Sequence, residues 1–281
     1  MNTPAALPAD AFFLKSGTGQ RFCLYHPPAG ACRGAVLYVH PFAEEMNRTR
    51  RMVALQARAL AADGFGVLQL DLAGCGDSSG DFGDARWEAW KDDLALGADW
   101  LRQRAPGPFV LWGLRLGALL ALDYTRAARH PVDAMLLWQP VLKGAQHLTQ
   151  FLRLRLASAL LAEGDSHGGT QALRVALQSG QALEIAGYEL APQLASALDA
   201  LAPLDTFVPM CPVDWVETAS GSAQDAAPGA ARAIAAWRAA GVDVRLHPVQ
   251  CAPFWATTEI TESPAWLEAT SAALRERLHG R

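Results

Sequence analysis

Residues 109–123, FVLWGLRLGALLALD, limit the possible folds of this chain more than any other stretch. A short, continuous apolar run leads into G-L-R-L-G, and small and leucine residues follow at helical spacing. An apolar run bounded by turn signals reads as a strand buried on both faces, and the run after Gly117 reads as a helix. Gly113 and Gly117 flank three residues in a sharp strand-to-helix turn, where glycine relieves backbone crowding. The residue at the apex is Arg115. A guanidinium is charged at every ordinary pH and offers only donors, so Arg115 cannot serve as a nucleophile.

The rest of the chain repeats the strand–helix alternation. Residues 12–25 read as a hairpin, with turn residues Ser16, Gly17, Thr18 and Gly19. Strands are expected over 34–40, 66–72, 109–113, 134–138, 212–216 and 242–249. Helices are expected over 51–63, 86–104, 230–240 and 264–278, and a polar loop over 41–50. Residues 141–204 read as mostly helical with no alternating strands. The segment FLRLRL (151–156) reads as a cap helix with solvated arginines, or as a contact for a membrane surface or partner. The whole is an α/β architecture, a doubly wound, mostly parallel sheet. The core is expected over 1–140 and 206–281, with a helical cap inserted over 141–205.

Composition excludes several functions. The chain has 281 residues, 51% of them hydrophobic, which suits one large domain with an insertion. A formal net charge of −4 gives no general pull on nucleic acid. No run reaches the roughly 18 apolar residues of a membrane span. The N-terminus lacks the basic and apolar regions of a secretory signal. The five cysteines are scattered and show no metal-ligand spacing, so free thiols in the cytoplasm are expected, with no metal and no cofactor.

Ligands of open α/β sheets bind beyond the carboxyl ends of the strands. The turn at 113–117 is written G-x-S-x-G where a serine nucleophile is used. Here the apex is Arg115, and after the last strand Pro253 precedes Phe254 and Trp255 where a base histidine is expected. His247 reads as a displaced base or as a strand residue. Glu217, with Asp225 further out, reads as the orienting acid or as a loop carboxylate. Cys75 in a glycine-rich loop is a weaker nucleophile candidate, because a reactive thiol needs a nearby cation or base; Ser78 and Ser79 read as turn residues. The backbone amides of Phe42 and Leu116 could form an oxyanion hole, with Arg115 as an anion clamp and His40 or Glu44 as acid and base. An ion pair from Arg115 to Glu44 or Glu45 would instead close that anion site.

Several stretches together resemble a bacterial group, the exosortase A system-associated hydrolases of the ortholog 2 type. They are VHPFAEEMNRTRRM (39–52), LDLAGCGDSSGDFGDA (70–85), LWGLRLGALLA (111–121), PFWATTEI (253–260) and EIAGYELAP (184–192). The resemblance implies an α/β-hydrolase fold and a place in loci for exopolysaccharide synthesis and PEP-CTERM protein sorting. It supports a hydrolase of ester or acyl bonds. The alternative is a hydrolase fold without catalysis that holds a small-molecule or acidic ligand, or a protein partner.

Overall fold

A computed structural model describes residues 8–17, 19–163, 168–219 and 226–278. Thr18, residues 164–167 and Asp225 lie outside the described residues. The centre is an eight-stranded sheet in the order β1-β2-β4-β3-β5-β6-β9-β10. Its strands are β1 (Asp10–Ser16), β2 (Gly19–His26), β3 (Gly34–Val39), β4 (Phe65–Leu70), β5 (Phe109–Leu114), β6 (Ala134–Trp138), β9 (Val213–Thr218) and β10 (Val244–Val249). β1 and β2 pair antiparallel, as do β2 and β4, and every other pairing is parallel. β3, β5 and β6 are buried at every residue, because helices cover both faces. One apolar layer packs α2 (Trp87–Arg104) and α3 (Leu116–Thr125) against the sheet; the other packs α1 (Glu44–Ala62) and α8 (Pro264–Leu278). α7 (Pro228–Ala239) links β9 to β10.

Two glycines allow the turn after β5. A Cβ on Gly117 would run into the carbonyl oxygens of Val39 and His40, and one on Gly113 into the backbone of Ala118. β5, α3 and the end of β3 therefore approach one another more closely than any side chain allows.

The loop expected over 41–50 is mostly helix, since α1 already begins at Glu44. Ala43 precedes it at φ 48° and ψ −127°, and Glu44 and Glu45 occupy the first turn, where carboxylates suit the positive end of the helix dipole. This earlier start carries Met46 and Thr49 onto the buried face alongside Met52, Val53 and Gln56.

Between β6 and β9 the chain leaves the sheet. It forms α4 (Gly144–Glu163), α5 (Gly169–Gln178), β7 (Leu183–Ile185), β8 (Tyr188–Leu190) and α6 (Pro192–Ala200). The small β7–β8 hairpin replaces part of the helix expected there. Its turn residues Ala186 and Gly187 have φ 49° and 83°, the left-handed pair that a two-residue hairpin needs. The insertion sits over the end of β3. Phe151 of α4 packs edge-on against Phe42 at 5.0 Å, and Tyr188 of β8 packs against Phe82 at 5.1 Å.

Candidate functional site

Arg115 stands alone between β5 and α3 at φ 56° and ψ −120°. A residue with a side chain rarely adopts this conformation, and here three backbone bonds hold it. Its amide donates to Trp138 O at 2.9 Å, and its carbonyl accepts from Ala118 N and Val141 N. The side chain is aimed off the end of the sheet. Its Nε and Nη2 both donate to Glu45 Oε1, at 3.2 and 3.1 Å. The guanidinium carbon lies 5.5 Å from the centre of the Trp255 ring, within cation–π range. Both charged side chains are mostly buried, at 16% and 14% exposure. Burial pushes the Glu45 carboxyl up, and Arg115 pulls against that shift. Of the two carboxylates expected to answer Arg115, Glu45 makes the bond. Glu44 forms no ion pair with it among the described residues, and its Oε2 is buried there without a partner.

His40, offered by the sequence as an acid or base, has both ring nitrogens committed. Nδ1 donates to Pro41 O at 2.7 Å, and Nε2 accepts from Leu72 N at 3.2 Å. This assignment fixes a neutral tautomer, consistent with burial lowering its pKa. Cys75 is buried, and burial with the nearby Asp71 and Asp93 pushes its thiol up, the opposite of activation. Ser78 and Ser79 tie their loop to β2, accepting from Phe22 N at 2.9 Å and Gln20 N at 3.0 Å.

Glu217 follows Val216 near the end of β9, where an orienting acid was expected, yet both its oxygens are occupied. It accepts from Trp215 Nε1 and from Ala227 N, each at 2.9 Å, and so anchors the entry to α7. His247 lies within β10 and contacts Asp214 Oδ1 at 2.9 Å, a carboxylate that Arg277 also holds at 2.8 Å. Neither Glu217 nor His247 lines the cavity at Arg115. In the segment after β10, Pro253 is exposed and Trp255 is the residue that reaches the elbow.

That cavity has a volume of about 310 Å³. Glu44, Glu45, Arg48, Arg115 and Trp255 form its core side, while His147, Gln150 and Phe151 of α4 close it from above. His147 was not singled out in the sequence. It is 6% exposed, its ring packs edge-on against Phe42 at 5.6 Å, and neither nitrogen has a partner among the described residues. Burial, helped by Arg115, pushes it down to about 3, so it is neutral at physiological pH. The available signal was its place on the apolar face of α4 with Leu148, Phe151 and Leu152.

The amides of Phe42 and Leu116 donate to no acceptor among the described residues. Both residues line a small adjoining cavity with His40, Cys75, Trp87 and Trp90. The site thus combines free backbone donors, a neutralised cation and a neutral imidazole. It brings together Arg115, Glu44 and the Phe42 loop, and leaves Glu217 and His247 apart. Among the described residues no cluster of metal-ligating side chains occurs, and no helix is long and apolar enough to cross a membrane.

A family model described as Hydrolase_4, serine aminopeptidase S33, matches residues 30–165. No curated protein matches the chain. Among solved structures, Est1E from Butyrivibrio proteoclasticus is similar at 14% identity and a TM-score of 0.64, covering 96% of this chain and 99% of its own. A soluble variant of monoglyceride lipase from Saccharomyces cerevisiae is similar at 14% identity and 0.62, covering 100% and 97%. A lidless α/β serine hydrolase from Xanthomonas campestris is similar at 15% and 0.56, covering 99% and 97%. At such identities these likenesses carry the architecture and not the chemistry. The chain has the α/β-hydrolase fold, and its first half after the opening hairpin carries the likeness to the S33 serine aminopeptidases.

Proposed function

We propose that this protein binds a small polar molecule in the cavity over Arg115 and forms no acyl-enzyme there. The observation that carries this reading is the Glu45–Arg115 pair at the apex of the elbow. A covalent hydrolase needs a nucleophile at such an apex and a base held against it. Here the apex holds a neutralised cation; His40, Glu217 and His247 are engaged elsewhere, and the Cys75 thiol is held protonated. In this reading Arg115 and Pro253 stand where the serine and histidine of a hydrolase belong. The resemblance to the exosortase A system-associated hydrolases supports a role in exopolysaccharide or PEP-CTERM loci. The five free cysteines suit the cytoplasm.

A second reading has its own support. The unused amides of Phe42 and Leu116, with His147 packed against the Phe42 ring, support a hydrolase of ester or acyl bonds in which water attacks directly. The likeness to the S33 family favours it.

A fluorophosphonate probe and a panel of short-chain esters, thioesters and acetylated sugars separate the two. The binding reading expects no labelled serine and no turnover above buffer. A labelled serine refutes it. Turnover that is lost in His147→Gln but survives without any covalent adduct establishes the second reading.

A further inference from the structure

We infer that the ligand of the cavity over Arg115 is a neutral, hydroxyl-rich small molecule of the monosaccharide or polyol class, held by His147, Glu44 and Glu45. This inference rests on the binding reading above and specifies the ligand's chemistry. Four buried polar atoms around the cavity lack partners among the described residues: Glu44 Oε2, Glu45 Oε2, and Nδ1 and Nε2 of His147. Buried polar groups are ordinarily hydrogen-bonded, so four together call for a polar occupant. His147 is 94% buried by its 6% exposure, and it faces this cavity from α4.

The unmatched set is mixed. A neutral imidazole presents one N–H donor and one acceptor nitrogen, while the carboxylate oxygens accept. Burial keeps His147 neutral, so it offers both roles across the physiological range. A hydroxyl group can donate and accept, and so can meet every one of these atoms. An ammonium only donates and leaves the imidazole N–H unmet. A carboxylate or phosphate dianion only accepts, and meets carboxylate oxygens that repel it. The charges agree with this choice. Glu44 and Glu45 are balanced by Arg48 and Arg115, two against two, which leaves no net pull on an ion. The Glu45 contact already occupies Arg115, the cation at the apex of the elbow. Among the other lining residues, Phe42, Phe151 and Trp255 contribute flat, apolar rings that suit the C–H faces of a sugar ring. The volume of about 310 Å³ lies at the small end of ligand sites.

The test uses the full chain, with glucose, galactose, mannose and myo-inositol as polyols, ethylammonium as a cation, and acetate and phosphate as anions. Titration calorimetry, thermal unfolding and the His147 imidazole resonances are read together. At least one polyol is expected to bind saturably, to shift the His147 resonances, and to raise Tm by about 5 °C at a hundredfold excess over its Kd. A non-saturating rise in Tm with His147 unmoved is solvent exclusion and overturns the inference. Glu44→Gln is expected to weaken the polyol at least tenfold, and His147→Leu to remove the resonance and the binding. The wild-type resonances keep the test decisive if either variant folds poorly. Binding of ethylammonium, acetate or phosphate in place of any polyol overturns the polyol class and leaves the binding reading standing. Absence of any response overturns the inference; a phosphonate-labelled serine independently overturns the reading beneath it.

Discussion

Arg115 and Glu45 illustrate how one buried pair constrains both its members. Removing one partner strands the other charge away from water, a loss of about 3–5 kcal/mol in buried pairs. The modest remaining exposure of this pair places it at the low end of that range. Arg115→Ala is therefore expected to cost about 3 kcal/mol in urea denaturation. The double variant Arg115→Met with Glu45→Gln should cost clearly less than the two single changes added together. Additive losses in that double-mutant cycle would show that the contact contributes nothing. The same pair explains why Arg115→Ser alone is expected to stay unlabelled by a phosphonate. The new hydroxyl would sit beside Glu45, and His40 has no free nitrogen to activate it.

At the scale of elements, two helices enter the site through the same unusual backbone. Ala43 before α1 and Arg115 before α3 share φ near +50° and ψ near −120°. Only Ala43 has no side-chain bond to justify a residue other than glycine there. Ala43→Gly is expected to raise stability by about 1 kcal/mol, a gain that a shift in the urea midpoint would reveal. Gly117→Ala should do the reverse and cost several kcal/mol or prevent folding, because two carbonyl oxygens occupy the space. The elbow could be read from the sequence because its signal is local: two glycines, an apolar strand and a helix within 15 residues. The start of α1 could not, since after Ala43 every residue of PFAEEMNRTR but Met46 is polar, and only burial of Met46 and Thr49 marks its inner face. That difference of about two turns is why Glu44 and Glu45 could not be told apart. His147 was missed for a related reason. Its neighbours across the cavity, Phe42 and Arg115, are distant in sequence, and a lone histidine on a helix carries no mark of what will lie beneath it.

The whole molecule has a pH response set by its buried histidines. Burial holds His147 at about 3 and His26 at about 4, against an ordinary 6.5. Between those values the unfolded chain takes up protons that the folded chain refuses. Stability is therefore complete above about 6.5 and falls on acidification, by up to about 1.4 kcal/mol per pH unit for each histidine. His40 acts in the same direction. Glu45 and Glu217 act oppositely, because their raised carboxyls bind a proton more tightly folded than unfolded. Their contribution strengthens folding as pH falls through the raised values and is complete below about 4.5, the ordinary carboxyl value. Urea midpoints between about pH 6.5 and 4 should decline in the wild type and decline less steeply in His147→Leu. An unchanged slope in that variant would mean that His147 titrates normally in the folded protein.

The contact between Glu45 and Arg115 also shapes which sequences lie within reach of this one. A chain that holds arginine at the apex and answers it from the neighbouring helix cannot lose the pair one residue at a time without a cost. Placing a neutral residue at the apex first strands a buried carboxylate, and neutralising the carboxylate first strands a buried guanidinium. Each intermediate is less stable than either end point, so the pair behaves as a ratchet. Variants descended from this chain should therefore carry arginine and an acidic partner together, or neither.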